Sequence, residues 1–193
     1  MRSQAQQVGQ LLISREALTS GVLAVVVNAS HGSRCAYITD NSSCTEHHYN
    51  PNTSTTVHLY YPITIPLGQI YLTLSFKAKL KGEYADLMEV FLVPRATSIM
   101  GGQPLNSYAR LFKVLYDSDG YEPEAYVVSP TNWVVVTHHT CSEPGDYYLV
   151  FTWRNDNSLG LDPPIVLDEV SLTASAVQPD PGAALGSGVT VIK

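Results

Sequence analysis

From Gly145 to Ala174 the chain reads GDYYLVFTWRNDNSLGLDPPIVLDEVSLTA, two alternating stretches around a polar loop. This is the segment that most restricts the fold. In a strand of period two, Tyr147, Leu149, Phe151 and Trp153 fall on one face, with Tyr148, Val150, Thr152 and Arg154 on the other. The run Arg154–Gly160 breaks the alternation, and Pro163-Pro164 stop a ladder from continuing because proline has no N–H to donate. In the second stretch Val166, Asp168, Val170, Leu172 and Ala174 share a face, with Ile165, Leu167, Glu169, Ser171 and Thr173 opposite. That parity predicts Asp168 among apolar side chains, where a lone carboxylate is costly to bury.

The same alternation recurs upstream. Ile70, Leu72, Leu74, Phe76 and Ala78 are predicted to face a core, with Tyr71, Thr73, Ser75, Lys77 and Lys79 facing out. Val57–Ile65 alternates too, but Pro62 marks it as an edge or broken strand. Leu87–Val93 is apolar on both faces apart from Glu89, as expected of a central strand. Further strands are expected at Val22–Val27, Ser33–Thr39 and Asn132–Thr137. Tyr108, Leu111, Phe112 and Leu115 have helical spacing, which predicts a short helix with a strand as the alternative. Seven or more strands without a βαβ rhythm predict an all-β antiparallel β-sandwich of jelly-roll topology. Closing it brings residues 20–40 beside 165–174. Residues 1–20 read as a lead-in segment, 21–176 as the sandwich, and 177–193 as a linker or tail.

A net charge of −6 and the lack of a basic patch argue against a nucleic-acid partner. No apolar run approaches the roughly 18 residues of a membrane span. Residues 17–27 resemble a short signal-peptide core, but Glu16 directly before them favours a buried strand. Of the three cysteines, Cys35 and Cys44 flank a polar turn and can pair, leaving Cys141; three separate thiols fit the spacing as well.

Trp153-Arg154-Asn155-Asp156 combines an aromatic plate, a guanidinium and polar acceptors, a mixture suited to sugars, and is the candidate ligand-binding set. By alternation, however, Trp153 continues the inward row of Leu149 and Phe151. Glu83, Asp86 and Glu89 approach a paired-carboxylate signature. On a strand, though, Asp86 and Glu89 point to opposite faces, and Glu83 and Glu89 lie about 20 Å apart, too far for a glycosidase pair. The adjacent pairs His47-His48 and His138-His139 do not converge on a metal, and the acidic turn 117–124 lacks the full EF-hand ligand pattern.

The segments AYITDN, VHLYYPITIP, LTLSFKAKLKGEYADLMEVFLVP and YYLVFTWRNDNSLGLDPPIVLDEVSL resemble jelly-roll modules of bacterial secreted and cell-surface proteins, of the MAM-like, cleaved-adhesin or choice-of-anchor type. The match is densest at Phe151, Trp153, Asn155, Asp156, Pro163, Pro164 and Asp168. Glu169 stands where those modules often have Asn, and Asp40-Asn41 where they commonly read Asn-Asp. The resemblance implies a non-catalytic module, secreted or on the cell surface and joined to other domains, that binds a glycan or a host or matrix protein. It also implies a structural calcium ion at Asp168, with Asp40 and Asn41 as further oxygen donors. A spacer role and a jelly-roll glycoside hydrolase are the alternatives.

Overall fold

The computed structural model describes residues 6–10, 22–24, 30, 35–39, 48–83, 85–116, 125–160 and 162–179. Among these residues there are strands and no helix. The strands are β1 Gln6–Gln10, β2 Val22–Ala24, β3 Ala36–Thr39, β4 Thr55–Ile65, β5 Tyr71–Lys79 and β6 Leu87–Pro94. They continue with β7 Arg110–Leu115, β8 Ala125–Val127, β9 Val134–Cys141, β10 Gly145–Asn155 and β11 Val166–Ser175. One sheet runs β2-β3-β11-β5-β9, with β1 also on β11; the second runs β4-β10-β6-β7-β8. Six of the ten connections between these described strands change sheet, so β3-β11-β5-β9 lies over β4-β10-β6-β7. That is an all-β sandwich with the jelly-roll arrangement.

Several expectations change in detail. The helical spacing of Tyr108–Leu115 is overridden: Arg110–Leu115 is a strand, because it pairs with β6 through Met88↔Val114 and Val90↔Phe112. The sandwich is not wholly antiparallel, since β7 and β8 run parallel. A strand, β1, falls within the stretch read as a lead-in and pairs with β11 from Ser171 to Ala174. The expected closure is present, with β3 on β11 at Val166↔Tyr37 and Leu167↔Ala36.

Aromatic contacts between the sheets tie the core together. Phe76 of β5 meets Phe151 of β10 edge-on at 5.5 Å and stacks on Phe112 of β7 at 6.2 Å. Leu72, Leu74, Phe76 and Ala78 are all buried, as the alternation predicts; Ile70 is instead 36% exposed because it precedes the strand. Each fully buried large side chain contributes about 1.5–3 kcal/mol relative to exposure.

The parity of β11 is where local reasoning fails. Asp168 stands opposite Lys77 and Ser171 opposite Ser75, so Glu169 and Val170 together face the single residue Phe76. This is a β-bulge, and Glu169 takes a φ of 50° to form it. One extra residue inverts every side chain beyond it. Leu167 before the bulge and Leu172 and Ala174 after it therefore all face the core. Asp168 lies with Val166 on the outer face, not among the inward apolar row.

Candidate functional site

β10 lies between β4 and β6, so its outward side chains form the middle of the second sheet's outer surface. Half of that surface is covered. Phe91, Val93 and Val150 are buried under Leu105, with Ile99 and Tyr108 packed beside them, because residues 95–109 fold back across the sheet. His58 fastens this flap. Its Nε2–H donates to Gln103 O at 2.9 Å, and its Nδ1 accepts from the Thr152 hydroxyl at 2.9 Å. A carbonyl only accepts, so the proton is on Nε2. Burial holds the His58 pKa below the ordinary imidazole range, against the backbone carbonyls of Gln103 and Met100. Simple alternation leaves His58 facing solvent; the flap that buries it carries no periodic signal.

The other half of the surface is open. A cleft of about 540 Å³ lies there, lined by Thr56, Glu89, Asn106, Arg110, Lys113, Arg154 and Asp156, among others. Glu89 is only 4% exposed and holds its floor. Its Oε1 accepts from Arg110 Nη1 at 2.8 Å, and its Oε2 accepts from Arg154 Nη1 at 3.2 Å. Both arginine side chains remain partly exposed, which leaves donors for a ligand, although Arg110 Nε is buried. Among the described residues that line the cleft, none is aromatic.

At one end of the cleft three loops meet. Tyr49 packs its ring edge-on against Trp153 at 5.5 Å and donates its hydroxyl to Asp86 Oδ2. Gly160 lies so close that an added Cβ would sit 2.2 Å from Pro51 Cβ and 2.9 Å from the Tyr49 hydroxyl. Gly82 likewise leaves room for Asp86, whose Cβ would be 2.7 Å from a side chain there. Asp86 is fully buried. Burial raises its pKa, with the charges of Glu83 and Asp156 adding to the effect and the Tyr49 hydroxyl opposing it. Exposed Asp156 is held below the usual carboxylate range by the Ser158 hydroxyl and N–H.

The four residues singled out for ligand binding part company here. Arg154 and Asp156 line the cleft. Trp153 does not: it is 1% exposed and packs in the core, as its inward parity requires, so its ring cannot serve as a plate for a ligand. Asn155 borders the cleft but its side chain is buried, donating to Thr53 O at 2.8 Å and thereby anchoring the loop before β4. Asp168 is far from this sheet. Its Oδ2 accepts from Ser30 N–H at 2.6 Å and its Oδ1 from Glu169 N–H at 2.7 Å. Beside it the Lys77 ammonium donates to Ser30 Oγ and Glu169 Oε1, each at 2.7 Å. Among the described residues, then, the groups around the Asp168 carboxylate are N–H donors and an ammonium, which compensate its charge on the outer face. Asp40 and Asn41 lie outside the described residues. Cys35, close by, is a buried free thiol whose pKa is pushed up to about 11, chiefly by burial.

No family model and no curated protein sequence matches the chain. Among solved structures, the enzymatically active domain of bacteriophage CBA120 tailspike protein 4 is similar with a TM-score of 0.44 and 11% identity. That match covers 80% of this chain and 18% of the tailspike chain. The CBM22-1 xylan-binding domain of Paenibacillus barcinonensis Xyn10C is similar with a TM-score of 0.39 and 14% identity, over 82% of this chain and 84% of that one.

Proposed function

We propose that this chain is a non-catalytic binding module of an exported or cell-surface bacterial protein, and that it takes a polar glycan in the open cleft of the second sheet. The cleft itself carries this reading. Its volume of about 540 Å³ falls in the range of small-molecule sites, and its walls converge hydroxyl, amide, guanidinium and carboxylate groups from β4, β6, β7 and β10. Guanidinium groups tethered to Glu89, each through one Nη1, keep further donors for hydrogen bonds with oxygens of a ligand. The resemblance to MAM-like and adhesin-type modules agrees with binding without turnover. Glu89 also argues against hydrolysis, because each of its oxygens is engaged by an arginine and not presented to a ligand.

The test is affinity electrophoresis of the full chain in gels containing neutral and uronate-bearing polysaccharides, with reducing ends assayed in parallel. Retardation that Arg154→Ala removes, without new reducing ends, is the expected outcome. New reducing ends would restore the hydrolase reading. That no described residue lining the cleft is aromatic favours a second reading, a spacer that presents neighbouring domains. No retardation in any gel would overturn the glycan reading and leave the spacer.

A further inference from the structure

Glu83, Asp86 and Asp156 come from two loops at the end of the cleft, yet one carboxylate oxygen of each lies within 4.8 Å of the others. Like charges do not gather this way without compensation. Among the described residues no lysine or arginine pairs with any of the three.

The independent observation is at Asp86. It is 0% exposed, and while its Oδ2 is taken by the Tyr49 hydroxyl, its buried Oδ1 has no partner in hydrogen-bond geometry among the described residues; the Asp156 N–H acts on the carboxyl group without making such a bond to Oδ1. A carboxylate oxygen buried and unmatched is costly, and native folds rarely leave one so. Glu83 Oε1 and Asp156 Oδ1 are already used locally: the first accepts from Ala85 N–H at 3.3 Å, the second from Ser158 N–H at 2.9 Å.

We infer that Glu83, Asp86 and Asp156 form a site for a divalent cation, and that the ion is calcium. An all-oxygen, carboxylate-rich set selects a hard cation. Carboxylate oxygens within 4.8 Å of one another can share one ion at the ligand distances of calcium, about 2.3–2.6 Å, and its flexible coordination tolerates an irregular set from two loops better than the near-octahedral demand of magnesium. Three carboxylates leave coordination positions that backbone carbonyls and water fill. The ion would join the turn before β6 to the loop after β10 and satisfy Asp86 Oδ1. The site is separate from Asp168 and stands whether or not the cleft binds a glycan.

The experiment is a terbium titration of the full chain, read by emission sensitised through Tyr49 and Trp153, followed by displacement with calcium. Asp156 is exposed, so Asp156→Asn keeps the fold, which its melting temperature in chelator checks. We expect saturable terbium emission that calcium displaces, with Asp156→Asn and Glu83→Gln each weakening calcium at least tenfold and Asp168→Asn leaving it unchanged. Calcium should also raise the melting temperature of the unaltered chain but not that of Asp156→Asn. The inference is overturned if calcium at several millimolar, the weak end for extracellular modules, neither displaces terbium nor raises the melting temperature. It is equally overturned if Asp156→Asn and Glu83→Gln bind as the unaltered chain does, or if Asp168→Asn alone abolishes binding.

Discussion

Replacing Glu89 with Gln removes one negative charge while keeping the shape of the side chain. In the native cleft that charge faces two guanidinium groups, Arg110 at 2.8 Å and Arg154 at 3.2 Å, and the strand neighbour across the ladder is Lys113. Losing one partner of a fully buried ion pair costs about 3–5 kcal/mol, because the remaining charge is stranded away from water. Here the stranded groups are not fully buried: the arginine side chains are 32% and 43% exposed, so water can replace part of what the carboxylate supplied. Hydrogen bonds to charged groups contribute about 1.5–3 kcal/mol, and the glutamine amide keeps one acceptor while turning donors toward a guanidinium. The expected loss is therefore about 1–3 kcal/mol. For a chain of this size each kcal/mol lowers the melting temperature by about 2–4 °C.

Urea denaturation midpoints of the unaltered chain, Glu89→Gln, Arg154→Ala and the double variant measure this directly. The cycle should give a coupling of about 0.5–3 kcal/mol between positions 89 and 154. Because Glu89 is only 4% exposed, most of that coupling should survive 1 M salt, where exposed pairs are screened within about 3 Å. If Glu89→Gln lies within about 0.5 kcal/mol of the unaltered chain, Glu89 behaves as a surface residue and the account of the cleft floor is wrong.

Two other perturbations probe the surrounding fold. Leu74 is 2% exposed and faces the core, so Leu74→Ala should cost about 2–5 kcal/mol, while the outward Thr73→Ala should cost about 0.5 kcal/mol or less. Equal urea midpoints for these two variants would mean that the register of β5 is wrong by one residue. For His58 the folded pKa is depressed by burial, so the unfolded chain takes up the proton first. Its contribution is then fully present above the ordinary value of about 6.5 and is lost as the pH falls below it. Unfolding free energy measured from pH 8 to 5 should decline less steeply in His58→Gln; an identical slope would remove His58 as the fastener of the 95–109 flap.

Period-two alternation made the core faces of β5 and β10 legible, because in both strands one side meets the opposite sheet without interruption. Trp153 shows the strength of that rule: its place in the inward row after Leu149 and Phe151 was a better guide than its resemblance to a sugar-binding ring. Asp168 shows where the rule stops. Nothing in Val166–Ala174 marks the bulge at Glu169 and Val170, since the extra residue is placed by the fit of β11 against β5, a long-range pairing. The same holds for the carboxylate cluster. On an ideal strand Asp86 is merely three residues from Glu83 and Glu89, and its neighbours from the 154–160 loop lie some 70 positions away. Yet one local signal was present: a carboxylate stands immediately before Leu87 and Met88, where a strand enters the core and an acid must find partners. Tyr49 supplies one of those partners. The oxygen it leaves unmatched is the reason to seek the other in an ion, and that follows from hydrogen-bond accounting across the loops, not from any spacing in the chain.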